Sequence, residues 1–462
     1  MGSSTMMRRL RVALFALLAA ACAAAVGGAC AAPASAGVTS SIASILQKHH
    51  LTGARTGVYV WDFDAARLVY AANQDTPLAP ASNMKLVTTA AALDHWAPDH
   101  RFKTELYGPG VPVYGGVIFG DLYLKGYGDP SLSTLWYQHN VLHMTTASFE
   151  SFAKRLRKLK VHKVKGSVLG DESYFDKQRT GPWQSSLFSE AGKLSALTGN
   201  ESLDNGNRVK DPATYAAKLL TEALEQQGIT VTGKPGTGTV PGSARLLKQQ
   251  YSAPLRAILK HMDKESDNFF AEMLVKGLGA EFEGAGSTEA GLNASRATLT
   301  SIGLSPDSYS LHDGSGLSYD DRITARDLVR ILGAARQRAD YRTYYEALAI
   351  AGVDGTLEDR MRGTAADDNA HAKTGTLNIA VCLSGYVQTA DDRRAAYAIV
   401  VNGDAVNWAN AAATQDAIVV TLAKAYLPGE RTHLAPSARQ IPVSALQAVN
   451  PTGSYLQAVV QP

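Results

Sequence analysis

From Thr56 to Asp62 and again from Leu68 to Ala72, β-branched, aromatic and small residues alternate on either side of Asp62-Phe63-Asp64, the period-two pattern of a β-hairpin. The period changes after Pro80. Met84, Val87, Ala90, Ala91 and Leu93 recur at helical spacing, which predicts a mostly buried helix with Ser82 in its first turn. From about Phe102 to Gly242 the texture shifts to short strand-like runs, turns such as Gly126-Tyr127-Gly128-Asp129-Pro130, and two amphipathic helices near 147–159 and 212–228. Helical spacing resumes over Pro254–Lys264 and Asn268–Gly277, with Glu265-Ser266-Asp267 as a tight turn between them, and again over 287–302 and 324–338. Thr374–Val387 and Arg394–Val401 read as strands separated by Ala390-Asp391-Asp392-Arg393, a second hairpin, and a last helix spans Trp408 to Tyr426.

An early hairpin, central helices and a late hairpin plus helix predict one antiparallel sheet built from both chain ends and flanked by helices, an α/β fold of the α+β kind. On this reading 37–101 and 243–430 form one discontinuous domain. Residues 102–242 form a smaller inserted α/β domain, and 431–462 an irregular tail with no assigned function.

The first residues change the picture of where the chain works. Met6-Met7-Arg8-Arg9-Leu10-Arg11, an apolar stretch from Val12 to Ala25 and then small residues have the three-part layout of a secretory signal peptide, which 1–36 is expected to be. The apolar run is too short for a confident membrane span. Ala34-Ser35-Ala36 offers a small-x-small cleavage site before Gly37. Cys22 and Cys30 also follow small residues, as lipoprotein cysteines do, but neither has Leu three residues before it, so simple cleavage and an exported, periplasmic protein are expected. Association at the membrane periphery is compatible with this, and the oligomeric state is not readable. Loss of 1–36 removes three arginines and no acid, so the net charge of +3 falls to zero, which points away from a nucleic-acid partner. Only Cys382 then remains, in an apolar run, as a buried core residue without a disulfide partner in the chain.

Ser82-Asn83-Met84-Lys85 places a hydroxyl and an amine three residues apart on one helix face. A serine becomes a useful nucleophile when a neighbouring base takes its proton, and a lysine serves if burial lowers its pKa. The spacing alone is common. Ser151-Phe152-Ala153-Lys154 repeats it within a Lys/Arg-rich amphipathic helix whose polar face should be solvated. Specificity comes from order: Ser266-Asp267-Asn268 follows at a helix-helix turn, and Lys373-Thr374-Gly375 with Thr376 at a strand start. Singly, Ser82 reads as a helix cap, Ser266 as a turn cap and Lys373 as a strand start; the ordered set outweighs those readings.

The three motifs match the S-x-x-K, S-x-N and K-T-G signature of penicillin-binding proteins and serine β-lactamases. The chain most resembles the D-alanyl-D-alanine carboxypeptidase/endopeptidases of the class C low-molecular-mass penicillin-binding proteins, the peptidase S13 family. The resemblance extends over Leu122–Gly126 with Gly128–Leu132, Asp171–Asp176, Asp313–Ser318 and Ala351–Leu357. It implies a transpeptidase-type domain with an antiparallel sheet flanked by helices, no metal and no organic cofactor. The implied activity is a serine D,D-carboxypeptidase with D,D-endopeptidase activity on peptidoglycan stem peptides, with β-lactam antibiotics as covalent inhibitors. By the same resemblance Ser82 attacks the penultimate D-Ala carbonyl and Lys85 accepts its proton. The N–H groups of Ser82 and Thr376 hold the oxyanion, Ser266 relays the proton to the leaving amine, and Asn268 binds the substrate amide and orients Lys85. Lys373, Thr374 and Thr376 take the terminal carboxylate, with Gly375 admitting the substrate backbone. A β-lactamase on the same fold and a non-catalytic peptidoglycan-binding protein remain as alternatives.

Ser82 and Ser266 are 184 positions apart, which requires an inserted domain and favours the S13 type. That family usually nests a further domain inside the insertion. Here Ser195-Ala196-Leu197-Thr198 runs almost at once into a helix near Asp211, so 199–210 is expected to be a short bypass loop. Asp176 and Tyr174 in the insertion are expected to contact the diaminopimelate amine and stem, against a reading of the segment as an ordinary turn. Glu289-Ala290-Gly291-Leu292-Asn293 fits the motif of a deacylating glutamate but sits in a capped amphipathic helix pattern, and His139 with His143 reads as solvated surface rather than a metal pair.

Overall fold

The computed structural model describes residues 36–109 and 115–427; the expected leader with Cys22 and Cys30, and the tail from 431, lie outside them. Helix α1 (Ala36–Lys48) opens the described chain, with Val38, Ile42 and Leu46 on its buried face. Strands β1 (Thr56–Asp62) and β2 (Arg67–Ala72) pair antiparallel as the expected hairpin. A 3₁₀ turn over Ala81–Asn83 leads into helix α2 (Met84–His95), in which every residue from Met84 to Leu93 is buried.

The insertion then builds its own layer. Strands β3 (Lys103–Gly108) and β4 (Leu122–Gly126), helix α3 (Phe149–Lys158), strand β5 (Val168–Asp171), helix α4 (Pro212–Gln226) and strands β6 (Gly236–Thr237) and β7 (Arg245–Tyr251) are its main elements; β7 pairs with β3, so this layer runs past the boundary expected at 242. The sheet runs β6-β5-β4-β3-β7, with β4 and β5 parallel and β3 and β7 antiparallel. Phe149, Phe152 and Leu156 of α3 and Leu220 and Leu224 of α4 pack with Leu106, Leu124 and Val168 as a core separate from that of α2. The bypass over 199–210 is a miniature hairpin, Leu203–Asp204 against Asn207–Arg208, turned at Asn205 and Gly206 with φ of 49° and 79°.

The chain returns through α5 (Leu255–Lys264), α6 (Asn268–Phe282), α7 (Thr288–Ser301), α8 (Ala325–Arg336) and α9 (Tyr341–Ala347). It closes with β8 (Ala349–Ile350), β9 (His371–Leu377), β10 (Ala380–Gln388), β11 (Arg394–Asn402) and α10 (Trp408–Ala423). The main sheet is antiparallel, in the order β8-β9-β10-β11-β1-β2, so β11 from the end of the chain pairs with β1 from its beginning. The segment read as one strand over Thr374–Val387 is two, β9 and β10, joined at Asn378-Ile379. The turn carries neither Gly nor Pro, so its residues give no punctuation. One face of the sheet packs on α2, α6 and α8, the other on α1 and α10.

Candidate active site

The turn that carries Ser82 is held from two sides. Ala81 adopts φ of +46°, a conformation L residues rarely occupy. Two glycines bring neighbouring backbone against it: a Cβ on Gly316 would overlap the Ala81 carbonyl oxygen, and one on Gly375 would stand 2.9 Å from Pro80 O and 3.0 Å from Ser82 N. Gly375 therefore lets strand β9 lie directly beside the Ser82 amide.

Lys85 is fully buried one turn along, and its Nζ has three oxygen neighbours: Ser82 Oγ at 3.1 Å, Asn268 Oδ1 at 2.7 Å and the Ser315 carbonyl at 2.8 Å. Two of the three can only accept. A neutral amine satisfies both with its two N–H bonds and keeps a lone pair for the third neighbour, the one that can donate. Burial pushes the Lys85 pKa down to about 8, against the opposing pull of Asp313, Asp267, Asp263 and Glu272, so an appreciable neutral fraction exists near pH 7.

Asn268 and Ser266 come from the turn between α5 and α6. Ser266 takes φ of +59°, and Asp267 caps α6 by accepting from the Phe270 N–H at 2.9 Å. Asn268 Nδ2 donates to Glu190 O at 3.0 Å, which fixes the amide so that its oxygen faces Lys85. Beneath this turn Asp267 Oδ2 lies 3.3 Å from His261 Nε2, and Tyr137 donates to Glu201 at 2.6 Å. Glu201, His261 and Asp267 are the described residues grouped closely enough to hold a metal ion, but capping, His261 and Tyr137 already occupy three of their carboxylate oxygens. They brace the turn.

The loop carrying Ser315 is fastened to α6. Glu272 Oε1 accepts from the N–H groups of Gly314 at 3.0 Å and Ser315 at 2.8 Å, while Asp313 accepts from Gly316, Ser318 and the Trp183 indole. Neither Glu272 nor the Ser315 carbonyl was singled out from sequence. A backbone acceptor has no residue signature, and Glu272 is legible only as the residue one turn after Asn268.

Lys373 is fully buried on β9, its Nζ donating to Thr374 O at 3.0 Å, and its carbonyl accepts from Asn83 Nδ2 at 3.0 Å. Burial and then the nearby Lys85 charge push its pKa down to about 7, against Asp263 and Glu265. Thr374 Oγ1 donates to Thr356 Oγ1 at 2.7 Å, and Thr376 is exposed. Ala370 O accepts from Ala351 on the β8 side, so strand alternation turns the N–H and C=O of 372, 374 and 376 toward that edge. Strand β8 pairs with only His371 and Ala372, which leaves the edge from Thr374 onward open among the described residues. An extended peptide can add there as a strand, its end beside Ser82.

Asp176 and Tyr174 are both held by neighbours in the structure. Asp176 Oδ1 accepts from the fully buried Lys276 at 2.5 Å and from Gln178 N at 3.0 Å, and Lys276 is two turns, about 12 Å, along α6 from Asn268. Tyr174 stacks on Phe175 at a centroid distance of 5.8 Å and lies tilted against Tyr127 at 5.2 Å. Asp176 is thus first an anchor of the insertion to α6, with its side chain 39% exposed. Of the lookalikes, Ser151 lies on the basic helix α3, where its N–H is capped by Ser148, and Glu289 pairs with Arg296 at 2.7 Å on the exposed face of α7. His139 and His143 are exposed.

The family model for the D-Ala-D-Ala carboxypeptidase 3 (S13) family matches residues 38–187 and 191–425. A D-alanyl-D-alanine carboxypeptidase from Actinomadura sp. (strain R39) is 33% identical over 466 aligned residues, covering 83% of this chain and 84% of the relative. Carboxypeptidase Rv3627c of Mycobacterium tuberculosis is 29% identical, covering 82% and 83%. The crystal structure of penicillin-binding protein 4 from Haemophilus influenzae superposes with a TM-score of 0.69 at 22% identity, covering 82% of this chain and 97% of that one, and shares the fold. With the family matched from α1 to the end of α10, this chain belongs to the S13 family of D-Ala-D-Ala carboxypeptidases and is a serine peptidase.

Proposed function

We propose that the protein cleaves both D-Ala-D-Ala termini and D-Ala-diaminopimelate cross-links of peptidoglycan through an acyl-enzyme on Ser82. The observation that carries this reading is the position of Lys85 Nζ, 3.1 Å from Ser82 Oγ with two fixed carbonyl acceptors on its other N–H bonds. The stem peptide adds along the open edge of β9, its terminal carboxylate toward Lys373, Thr374 and Thr376. Lys85 takes the Ser82 proton as Oγ bonds to the penultimate D-Ala carbonyl carbon. The developing oxyanion is held by the N–H groups of Ser82 and Thr376, donors fixed before the reaction begins. Collapse breaks the C–N bond, and the proton passes through Ser266 to the leaving amine. Water then attacks the ester, gives its proton back through Lys85 to Ser82 Oγ, and releases the shortened peptide.

In endopeptidase action the leaving amine belongs to diaminopimelate of a neighbouring stem, and Asp176, whose side chain is partly exposed beside Lys276, and Tyr174 are the insertion residues offered as its contacts. A β-lactam presents the same carbonyl and carboxylate, and a second structure of the H. influenzae protein holds a novel β-lactam, which supports covalent penicillin binding here. The substrate lies outside the cytoplasm, in keeping with the leader-like 1–36.

Incubation with a pentapeptide should release D-Ala, purified sacculi should lose cross-links on muropeptide analysis, and intact mass after penicillin should show a long-lived adduct absent in Ser82→Ala. Rapid loss of the adduct would instead indicate a β-lactamase. Failure to release D-Ala, with Ser82→Ala binding muropeptide as well as the parent, would indicate a binding protein.

A further inference from the structure

The inserted domain carries a concentration of charge that the D-Ala chemistry does not use. Seven of the twelve residues from Lys154 to Lys165 are Lys or Arg and none is acidic, in a chain whose charge without 1–36 is zero. The cause is visible in α3: Phe149, Phe152, Ala153 and Leu156 face the insertion's core, so the cations fall on the opposite face. Between that face and β7 lies a groove of about 610 Å³, lined by Lys154, Arg155 and Lys158 from the helix and Leu246, Lys248 and Gln249 from the strand, among others. Arg155 donates across it to Leu247 O, and no carboxylate lines it. The insertion's lysine-acid pairs, among them Lys103 with Glu105, Lys125 with Asp171, Lys177 with Glu172 and Lys218 with Asp204 and Glu222, are made elsewhere.

We infer that this groove is a second binding station, holding the anionic stem-peptide strands of peptidoglycan while Ser82 works on a terminus or cross-link of the same polymer. The inference rests on the substrate reading above. Four cations with no interspersed acid make a field that selects a multiply charged chain over a single small anion. A concave groove with Leu246 exposed on its wall takes a strand, whereas a bilayer surface would meet a convex face. Free carboxylates on the acidic and diaminopimelate residues of each stem supply the repeating negative charge. The chain path from Lys248 to Ser266, the end of β7 and then α5, spans no more than about 45 Å, so one polymer can engage both places. Engagement at two stations raises the effective concentration of stems at Ser82 without any new contact there.

The test is co-sedimentation of the full chain carrying Ser82→Ala with purified sacculi, with and without Lys154→Glu, Lys158→Glu and Lys248→Glu. At low ionic strength the triple reversal should lower the bound fraction by about tenfold, and the difference should shrink at high salt. Carbodiimide amidation of the sacculi should produce the same loss. The triple reversal in the Ser82 parent should leave penicillin labelling and pentapeptide hydrolysis unchanged, which separates a failed groove from a failed fold or a failed D,D-peptidase assignment. Equal binding of variant and parent would overturn the inference. So would binding lost when hydrofluoric acid strips phosphodiester polymers but kept on amidation, or binding confined to anionic phospholipid vesicles.

Discussion

Glu272 Oε1 lies 2.8 Å from the backbone nitrogen of Ser315, and the carbonyl of that same residue lies 2.8 Å from Lys85 Nζ. A carboxylate that never meets Ser82 thus aims one of the two acceptors that orient the amine. Asn268, one turn before Glu272 on α6, supplies the other.

Glu272→Ala should therefore harm both fold and rate. It leaves the Gly314 and Ser315 N–H groups buried without an acceptor, at a cost of about 1–3 kcal/mol each, and frees the Ser315 carbonyl to turn. Glu272→Gln keeps an acceptor and should recover most of the stability. Urea unfolding checks the first effect and the rate of penicillin acylation the second.

Acylation should rise with pH and level off above an inflection near 8, because the neutral form of Lys85 is the one that accepts a proton and its fraction grows through that pKa. Asn268→Asp places a negative charge 2.7 Å from the amine in nearly the same shape, stabilises the ammonium, and should move the inflection to higher pH. The pH profile of the acylation rate constant at saturating penicillin, where binding by Lys373 is complete, reads both.

Two substitutions at Asp176 separate its anchoring of Lys276 from the proposed contact with substrate. Asp176→Ala strands the ammonium of Lys276 in the core and should cost about 3–5 kcal/mol in thermal or urea unfolding. Asp176→Asn keeps an oxygen for Lys276, and if the carboxylate also receives the diaminopimelate amine, KM should rise for stems bearing that amine and stay level for acetylated ones.

Asp263 gives a stability signature. Burial pushes its pKa up to about 7, against Lys373, Thr89, Lys85 and Lys264, so the folded protein holds this proton after the unfolded chain has lost it. For a raised carboxyl the contribution is intact below the unfolded value near 4 and declines as pH climbs to the folded one. Asp263→Asn should flatten the fall in stability between about pH 4 and 7, measured as unfolding midpoints across that range.

Much of this was legible in residues. The hairpin at Thr56–Ala72, the buried helix behind Ser82 and the Ser266 turn follow from periodicity and punctuation, and the ordered motifs predicted that Ser82, Lys85 and Asn268 would meet. What was missed has physical reasons. Helix α1 shows Val38, Ile42 and Leu46 at i, i+4 and i+8, but the segment reads equally as the flank of a leader. The β9-β10 turn lacks a breaker. The anchoring of Asp176 to Lys276 was not legible because that lysine lies 100 positions later and has no reason in sequence to be buried.

Along α6, Asn268, Glu272 and Lys276 are each one turn apart and grip respectively the amine, the Ser315 loop and the insertion. For anyone redesigning this chain, that stripe separates where its length is free from where it is fixed. New sequence can be spliced in at the exposed Asn205-Gly206 tip, where only a two-residue pairing is at stake. Excising the insertion as a unit would instead strip Asp176, the Gln178 carbonyl and Phe175 from Lys276 and uncover the helix that carries Asn268, so the trimmed protein would need that face of α6 remade before it could be expected to fold.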